Sequence, residues 1–519
     1  MPTTVDMGCD IEISTRAVFA LGGCFRCCTR LAPAGQTLTV NSKIAMFLVA
    51  ATSGMVLVLE IIAGRLMAPY VGVSLDTFTG IIGTILAGMA IGAAVGGALA
   101  DRRDPLRLIA QALFYGGALT WLSIPIVSAM GPEVGSGPVA IVVLAASGFV
   151  LPSAVLSGIG PMVAKLQLDS IDETGAVMGR LSAASTFGAL MGTFGTGFIL
   201  ISLFRVRTII VIIGAILVIA GLVVFSRTGK RRPDAVEVGL IAATAFISLA
   251  VASPCDFETD YYCVRVVADA IEGADPRPGG RSLIIDQLRH AHVDLDDPEY
   301  LDIRYMRLFA DVAATLPEGP IDVLHVGGGG FSLPRYLRAV RPGSTNTVLE
   351  LDADLVQIAK EELGLTNADA LDIRTGDARL HLGDLPTNGY DLIVGDAYSG
   401  RSVPWHLTTV EVMAEFRRLL KDDGLYMMNV IDGGDNDFMR SQLTTLREDF
   451  AQLVVIEPEG GVPANSVNQV IVAASGDIPE FEVASHDGSV LRNGAVIEFI
   501  GDDTLVLTDN YAPTDQLLQ

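Results

Sequence analysis

Long apolar runs fill the first half of the chain and alternate with short polar segments. Seven runs reach or approach the roughly 20 residues that an α-helix needs to cross a bilayer. They lie at 44–64, 78–100, 106–129, 139–164, 181–204, 207–226 and 236–252, and the last is the shortest. Small residues at four-residue spacing, such as Gly88, Gly92 and Gly96, let helices approach closely in lipid. The pattern predicts a polytopic α-helical membrane bundle at 44–252, preceded by a poorly ordered tail at 1–43.

The pattern changes at about residue 253, after which short β-rich runs alternate with helical stretches. Predicted strands lie at 321–326, 347–352, 373–378, 390–396 and 425–430, and predicted helices at 354–362 and 410–420. Such alternation is typical of a parallel sheet with helices on both faces. We therefore predict a β-rich part at 253–318, including a small hairpin, and an α/β Rossmann-like domain of the class I methyltransferase type at 319–519.

Charge divides the chain at the same place. Residues 1–252 carry a formal charge of +3, whereas residues 253–519 carry −27. An acidic surface argues against nucleic acid as a partner, because phosphate binding needs a basic one. It suits a cationic substrate such as a polyamine. Solubility is the alternative explanation for the same acidity.

The charged loops between the apolar runs predict the orientation in the membrane. The basic loops Asp101–Arg107, Lys165–Arg180 and Arg227–Arg232 follow runs two, four and six, so they are expected in the cytoplasm. Seven crossings then place the acidic half of a multi-pass cell-membrane protein on the outer face. An eighth crossing, or a re-entrant segment, would reverse this.

The acidic half contains two cysteines, Cys255 and Cys263. We predict a disulfide between them, which an oxidising compartment would permit. Two reduced, partly buried thiols are the alternative. An outer location and a disulfide agree with one another, although each rests on a different observation.

Polar and glycine residues follow the predicted strands, where open α/β sheets bind ligands. Gly327, Gly328 and Gly329 come directly after the first strand and allow backbone and ligand to approach closely. Glu350 or Asp352, about 20 residues further on, is placed to accept hydrogen bonds from a ribose. The four strand ends together predict a nucleoside site.

The next two strand ends carry further acids. Asp377, after the third strand, can accept from an adenine amino group, and Asp396, after the fourth, faces the reacting centre. The sequence shows no His/Cys cluster with the spacing of metal ligands. We therefore expect no metal.

Several of these motifs resemble the spermidine-synthase family of aminopropyltransferases, in the branch fused to a transporter-like membrane domain. The similar segments are 59–70 in the membrane half, and 258–262, 283–286 with His290, Tyr305, 327–335, 350–352, 376–378, 391–396 and 507–513 in the acidic half. The resemblance covers almost the whole chain from about residue 44.

The resemblance implies transfer of an aminopropyl group from decarboxylated S-adenosylmethionine to an amine such as putrescine. It implies Asp396 as base or orienting acid with Tyr305 assisting, Glu350 at the ribose, and Asp377 with Ala378 at the adenine. It places the amine substrate near His290, Tyr398 and Tyr262. Soluble relatives pair, so a homodimer in the lipid bilayer is also implied.

The sequence departs from the family pattern at the amine end. Gly330 and Ser399 stand where the family has acids, His290 replaces a glutamine, and Met306 replaces a polar residue. Losing two carboxylates weakens the selection of a dication. Two alternatives therefore remain: an S-adenosylmethionine-dependent methyltransferase, or a non-catalytic polyamine-binding module that serves the membrane bundle. An outer location favours the second alternative.

Overall fold

The structure is a computed structural model, and it describes part of the 519-residue chain. The described residues are 41–518 except 136, 169–173, 229–232, 269–276, 399–402, 434, 459–466, 482, 484–487 and 503. The predicted tail at 1–43 and the Ser399 position therefore lie almost wholly outside the described residues.

Seven apolar helices form the first half of the described chain. Six are long enough to cross a membrane: Ser42–Val71 (α1), Leu75–Arg102 (α2), Pro105–Met130 (α3), Pro138–Gln167 (α4), Thr174–Leu203 (α5) and Val206–Thr228 (α6). The seventh predicted run forms α7, Ala235–Ala250, with 16 residues. At 1.5 Å per residue it is about 24 Å long, less than the roughly 30 Å of a hydrocarbon core. Residues 146–150 in α4 and 196–200 in α5 are π-helical turns.

Glycine allows α2 and α4 to pack with their backbones in contact. A Cβ atom on Gly92 would lie 2.0 Å from the carbonyl oxygen of Ala154, and one on Gly96 would lie 2.6 Å from Cα of Gly158. Any larger residue would force the helices apart. The prediction of close helix packing through small residues is confirmed at these positions.

The hydrogen bonds at the helix ends fix which ends face the acidic half. Near the end of α1, Arg65 donates to the Asp260 carbonyl at 2.7 Å, and at the start of α6 the Val206 N–H donates to Glu258 at 2.8 Å. Arg207 donates to the Ser248 carbonyl at 2.7 Å, so α7 ends where α6 begins. Although α7 is short, it therefore returns the chain to the face of the bundle at which α6 begins.

The basic helix ends lie at the opposite end of the bundle. Lys165, near the end of α4, pairs with Asp101, at the end of α2, with 2.7 Å between Nζ and Oδ1. Since α2, α4 and α6 all run away from the acidic half, their basic C-terminal ends share one face. The acidic half occupies the other face.

Two sheets build the acidic half. The first is four-stranded and antiparallel, in the order β1-β2-β3-β4. Its strands are Phe257–Glu258 (β1), Cys263–Ala268 (β2), Gly280–Ile285 (β3) and Leu288–Asp294 (β4). The predicted disulfide is present between Cys255 and Cys263 and fastens the start of β1 to β2.

The second sheet has eight strands in the order β12-β10-β11-β9-β8-β5-β6-β7. They are Asp322–Val326 (β5), Thr345–Glu350 (β6), Leu371–Thr375 (β7), Tyr390–Gly395 (β8), Leu420–Asp432 (β9), Gln452–Pro458 (β10), Val467–Ala474 (β11) and Gly488–Arg492 (β12). Strands β5 to β9 pair in parallel, and β10 to β12 extend the sheet antiparallel. The predicted α/β Rossmann-like fold beside a helical bundle is confirmed.

Helices cover both faces of this sheet. They are Arg304–Ala313 (α8), Ser332–Val340 (α9), Ala353–Glu362 (α10), Ala378–Leu382 (α11), Val410–Leu419 (α12), Asp437–Leu446 (α13), Gly494–Ile500 (α14) and Thr514–Leu517 (α15). One apolar layer packs α12 and α13 on one side, and another packs α8 and α9 on the other. The fifth predicted strand, 425–430, is longer than expected, because β9 pairs with both β8 and β11.

Candidate functional site

A cavity of about 620 Å³ lies beyond the carboxyl ends of β5, β6 and β8. The chain leaves β5 for β6 on one side and later returns to β8 on the other, and such a reversal opens a crevice for ligands. The turns of the small antiparallel sheet and the helical bundle close the cavity from the other side. Its size is typical of a small-molecule site.

The glycine turn after β5 forms one end of the cavity. Gly327 has φ +101° and Gly329 has φ +51°, which glycine adopts without strain. A Cβ on Gly327 would lie 2.3 Å from the carbonyl oxygen of Asp396, so a larger residue could not stand there. The turn therefore brings the ends of β5 and β8 together.

Glu350, at the end of β6, holds this turn. Its carboxylate accepts from the N–H groups of Gly328 at 2.8 Å, Gly329 at 3.1 Å and Asp352 at 3.0 Å. Burial raises the pKa of Glu350, and these three donors oppose the rise. A carboxylate accepts about four hydrogen bonds, so capacity for a ribose hydroxyl remains.

Asp352 caps the helix that follows β6. Its side chain is buried and accepts from the N–H groups of Asp354 at 3.0 Å and Leu355 at 3.4 Å, which makes it the N-cap of α10. It is not among the described residues that line the cavity. The helix start uses one oxygen of this carboxylate, and contact of Asp352 with a nucleoside stays a prediction.

Asp377, with Ala378 beside it, lines the cavity after β7. Its carboxylate caps α11 by accepting from the Arg379 N–H at 2.9 Å, and its other oxygen lies 3.3 Å from Nε2 of His406. Asp377 and His406 together form a polar edge that suits the exocyclic amine and ring nitrogens of adenine.

Asp396, at the end of β8, is held by two donors. Tyr305 donates its hydroxyl to Oδ2 at 2.9 Å, and Asn429 on β9 donates its amide to Oδ1 at 2.9 Å. Asn468 on β11 in turn donates to the Asn429 side chain at 3.0 Å. Each carboxylate oxygen keeps a lone pair for a ligand.

Burial raises the pKa of Asp396, and the hydrogen bonds from Asn429 and Tyr305 oppose the rise. The pKa of the Tyr305 hydroxyl lies well above its ordinary value, because it is buried beside the Asp396 carboxylate. Tyr305 is therefore a permanent donor. Asp396 is an oriented carboxylate whose basicity exceeds that of an exposed aspartate, which suits proton transfer.

The three residues predicted near the amine also line the cavity. The ring of His290 is hydrogen-bonded to the Leu288 carbonyl at 3.0 Å, and burial lowers its pKa, so it is neutral at pH 7. Tyr398 donates to the Asn429 carbonyl at 2.6 Å and accepts from the Ile431 N–H at 3.0 Å. Tyr262 is buried on the wall nearest the bundle.

Gly330 leaves no room for the acid that the family carries. A Cβ there would lie 2.5 Å from Cβ of Ala291 on β4. Met306 also lines the cavity. The cavity wall at this position is therefore packed closely around glycine.

The sequence did not point to several residues of the wall. Asn429, His406 and Arg289 come from the acidic half, and Arg65 and Phe78 come from the helical bundle. Asn429 had one signal, since it is a polar residue near the end of an apolar strand. Arg65 lies in the similar segment 59–70, but nothing in the sequence indicated its contact with Asp260, which spans 195 positions, and Phe78 had no signal. Among the described residues, no group of three or more His, Cys, Asp or Glu is placed to hold a metal ion.

No family model matches the chain, but curated relatives and solved structures are similar to parts of it. The chain is 27% identical over 176 residues to a polyamine aminopropyltransferase of Vibrio vulnificus, covering 34% of the chain and 57% of that protein. It is 27% identical over 211 residues to an eEF1A lysine and N-terminal methyltransferase of Mus musculus, covering 37% and 29%. The chain spans about half the length of the curated aminopropyltransferases that it matches.

Among solved structures, a probable spermidine synthase from Corynebacterium glutamicum aligns with a TM-score of 0.45 and 25% identity, over 50% of this chain and 96% of that one. A human methyltransferase-like protein 13 in complex with SAH aligns with a TM-score of 0.31 and 19% identity, over 41% and 99%. By sequence, the chain has homologues among the polyamine aminopropyltransferases, and the resemblance to the spermidine synthases predicted from the sequence is confirmed.

Proposed function

We propose that this protein is a membrane-anchored aminopropyltransferase that uses decarboxylated S-adenosylmethionine as donor and an amine as acceptor. One observation carries the proposal: Asp396 is held by Tyr305 and Asn429 in the same cavity as the Glu350-bound glycine turn. The turn with Glu350 suits the donor's ribose, and Asp377 with His406 suits its adenine. Asp396 then faces the acceptor.

The reaction needs a neutral nitrogen placed in line with a carbon–sulfur bond. The acceptor nitrogen attacks the carbon next to the sulfonium, the C–S bond breaks, and sulfur leaves with the electron pair as methylthioadenosine. The acceptor nitrogen loses a proton, which Asp396 accepts. Fixed geometry supplies most of the acceleration in such a displacement, and the buried carboxylate supplies the base.

The test is product formation by the purified full chain in detergent. With the decarboxylated donor and putrescine, we expect release of methylthioadenosine, and we expect Asp396→Asn to abolish it. Asp372→Asn, on an exposed acid of β7 that pairs with Arg374, is the matched control and should retain activity. Turnover that survives Asp396→Asn would contradict the assigned base.

A methyltransferase is the second candidate, and one observation favours it. Arg65 brings positive charge to the cavity wall and donates to backbone carbonyls, whereas Arg289 is ion-paired with Asp302, and Gly330 stands where the family has an acid. S-adenosylmethionine carries a carboxylate that its decarboxylated form lacks, and a cation would bind it. Release of adenosylhomocysteine from S-adenosylmethionine, with no methylthioadenosine from the other donor, would establish this candidate. Polyamine binding without either product would leave the non-catalytic module.

We also propose that the acidic half lies outside the cell. The support is that Arg102, Lys165 and Arg227 end helices on the face opposite the acidic half, and basic ends favour the cytoplasm. The disulfide between Cys255 and Cys263 agrees with an oxidising compartment. This orientation requires a supply of the adenosyl donor on the outer face.

A further inference from the structure

The helical bundle forms part of the cavity wall. Ile61, Gly64 and Arg65 of α1, Phe78 of α2 and Ile201 of α5 line the same cavity as the glycine turn and Asp396. A Cβ on Gly64 would lie 3.2 Å from the Phe78 ring, so this ring rests directly on the α1 backbone. The bundle is therefore a wall of the site as well as an anchor.

Several contacts fix this wall of the bundle against the acidic half. Arg65 donates to the carbonyls of Thr259 at 2.5 Å and Asp260 at 2.7 Å, in the turn between β1 and β2. At the end of α1, a Cβ on Gly72 would lie 2.6 Å from the Gln287 amide in the β3–β4 turn. The cavity lies at a close-packed junction between the bundle and the sheet.

The bundle side of the cavity borders the surface that lipid would cover. Phe78 lines the cavity and is 44% exposed, and Leu75, one turn earlier on α2, is 50% exposed. Around Ile201, Phe198 is 78% exposed and Leu203 is 67% exposed. These exposed apolar side chains belong to helices that are apolar enough to cross a membrane. The cavity edge is thus continuous with a lipid-facing surface.

The acids of the wall do not suit a free dication. Glu350 is bonded to the glycine turn, and Asp377 lies beside His406. The Asp260 carboxylate already interacts electrostatically with the Arg65 guanidinium, which donates to the Asp260 backbone carbonyl. Asp396 is then the carboxylate that an acceptor amine meets, and Gly330 has no space for a second. The far end of the acceptor faces Ile61, Phe78 and Ile201, where an ammonium would be poorly solvated.

From this arrangement we infer that the acceptor is an amphiphilic amine: its amino group meets Asp396, and its apolar chain lies against Phe78 and Ile201 and enters from the bilayer. This inference rests on the proposed aminopropyl transfer. It predicts that the acceptor carries an apolar chain where a diamine carries its second ammonium group.

The test uses the purified full chain in nanodiscs, with the decarboxylated donor and two acceptors. One is putrescine, and the other, the alkylated acceptor, is dodecylamine, whose apolar chain stands in place of the second ammonium group. Each covered methylene contributes about fourfold to binding, so we expect kcat/KM for the alkylated acceptor to exceed that for putrescine by at least about tenfold. Phe78→Ala should lower kcat/KM for the alkylated acceptor by about tenfold and change that for putrescine less than about twofold.

Leu75→Ala is the matched control, because Leu75 lies on the same helix and surface but is not among the residues that line the cavity. Leu75→Ala should leave kcat/KM unchanged for both acceptors. The alkylated acceptor partitions into the bilayer to the same extent whichever variant is present. A difference between Phe78→Ala and Leu75→Ala therefore reports contact with the cavity wall.

Four results would overturn the inference. Equal or better turnover of putrescine would overturn it and leave the proposed function standing. Phe78 would have only a structural role, and the inference would fail, if Phe78→Ala lowered kcat/KM equally for both acceptors. The same holds if Phe78→Ala and Leu75→Ala had equal effects. An absence of methylthioadenosine with either acceptor would overturn the proposed function and the inference together.

Discussion

Replacing Tyr305 with phenylalanine removes one of the two donors that hold Asp396. The hydroxyl bonds the carboxylate at 2.9 Å and lowers its pKa, so its loss should raise that pKa. A hydrogen bond to a charged group contributes about 1.5–3 kcal/mol, and one pKa unit corresponds to about 1.4 kcal/mol. The expected shift is therefore about one unit, the low end of the range, because water in the cavity replaces part of the lost bond.

The consequence is a displaced pH profile. If ionised Asp396 accepts the proton, kcat/KM rises with pH through its pKa, and Tyr305→Phe should move this acidic limb upward by about one unit. Methylthioadenosine release between about pH 5 and 9 measures the limb. Tyr426→Phe is the control, because this buried hydroxyl lies against Gly395. An unmoved limb in Tyr305→Phe, or equal shifts in both variants, would refute the reasoning.

Three further predictions concern other parts of the structure. His406→Ala should raise the donor KM about fivefold at constant kcat, because about 1 kcal/mol of hydrogen bonding at Asp377 is lost; an unchanged KM would remove His406 from the adenine end. Gly330→Asp should lower the Tm without improving putrescine turnover, and Ala291→Gly should restore the Tm of the double variant; an unchanged Tm in Gly330→Asp alone would contradict the 2.5 Å contact. In intact cells, a membrane-impermeant thiol reagent should label a cysteine at exposed Glu498 but not one at exposed Arg103, and the reverse pattern would place the acidic half inside.

The fold was predictable where local pattern and burial coincide. The apolar runs gave helices α1 to α6, because length and hydropathy suffice for a span, and the strands from β5 to β8 follow from short apolar runs between turns. Strand β9 extends beyond its apolar part because pairing with β8 and β11, rather than side-chain pattern, sets its ends. Helix α7 packs mainly on α3, where the Ser248 hydroxyl donates to the Trp121 carbonyl, a contact that the apolar run alone did not indicate.

The site was predictable where it lies on strand ends, and less so elsewhere. Glu350 and Asp396 follow strands and line the cavity as expected, whereas Asp352 caps a helix, a competing use of the same side chain. Asn429 donates the second hydrogen bond to Asp396 from β9, a strand that lies beside β8 only after folding. Phe78 and Arg65 belong to another half of the chain, and hydropathy gave no indication that they meet the nucleoside domain.

The bond between Arg65 and the Thr259–Asp260 turn also constrains how the protein is assembled. Helix α1 is synthesised nearly 200 residues before the turn to which its Arg65 donates. The site is complete only when the sheet is docked on the bundle. An excised acidic half would keep Asp396 and the glycine turn but lose one wall, so the two halves of this chain are not interchangeable modules.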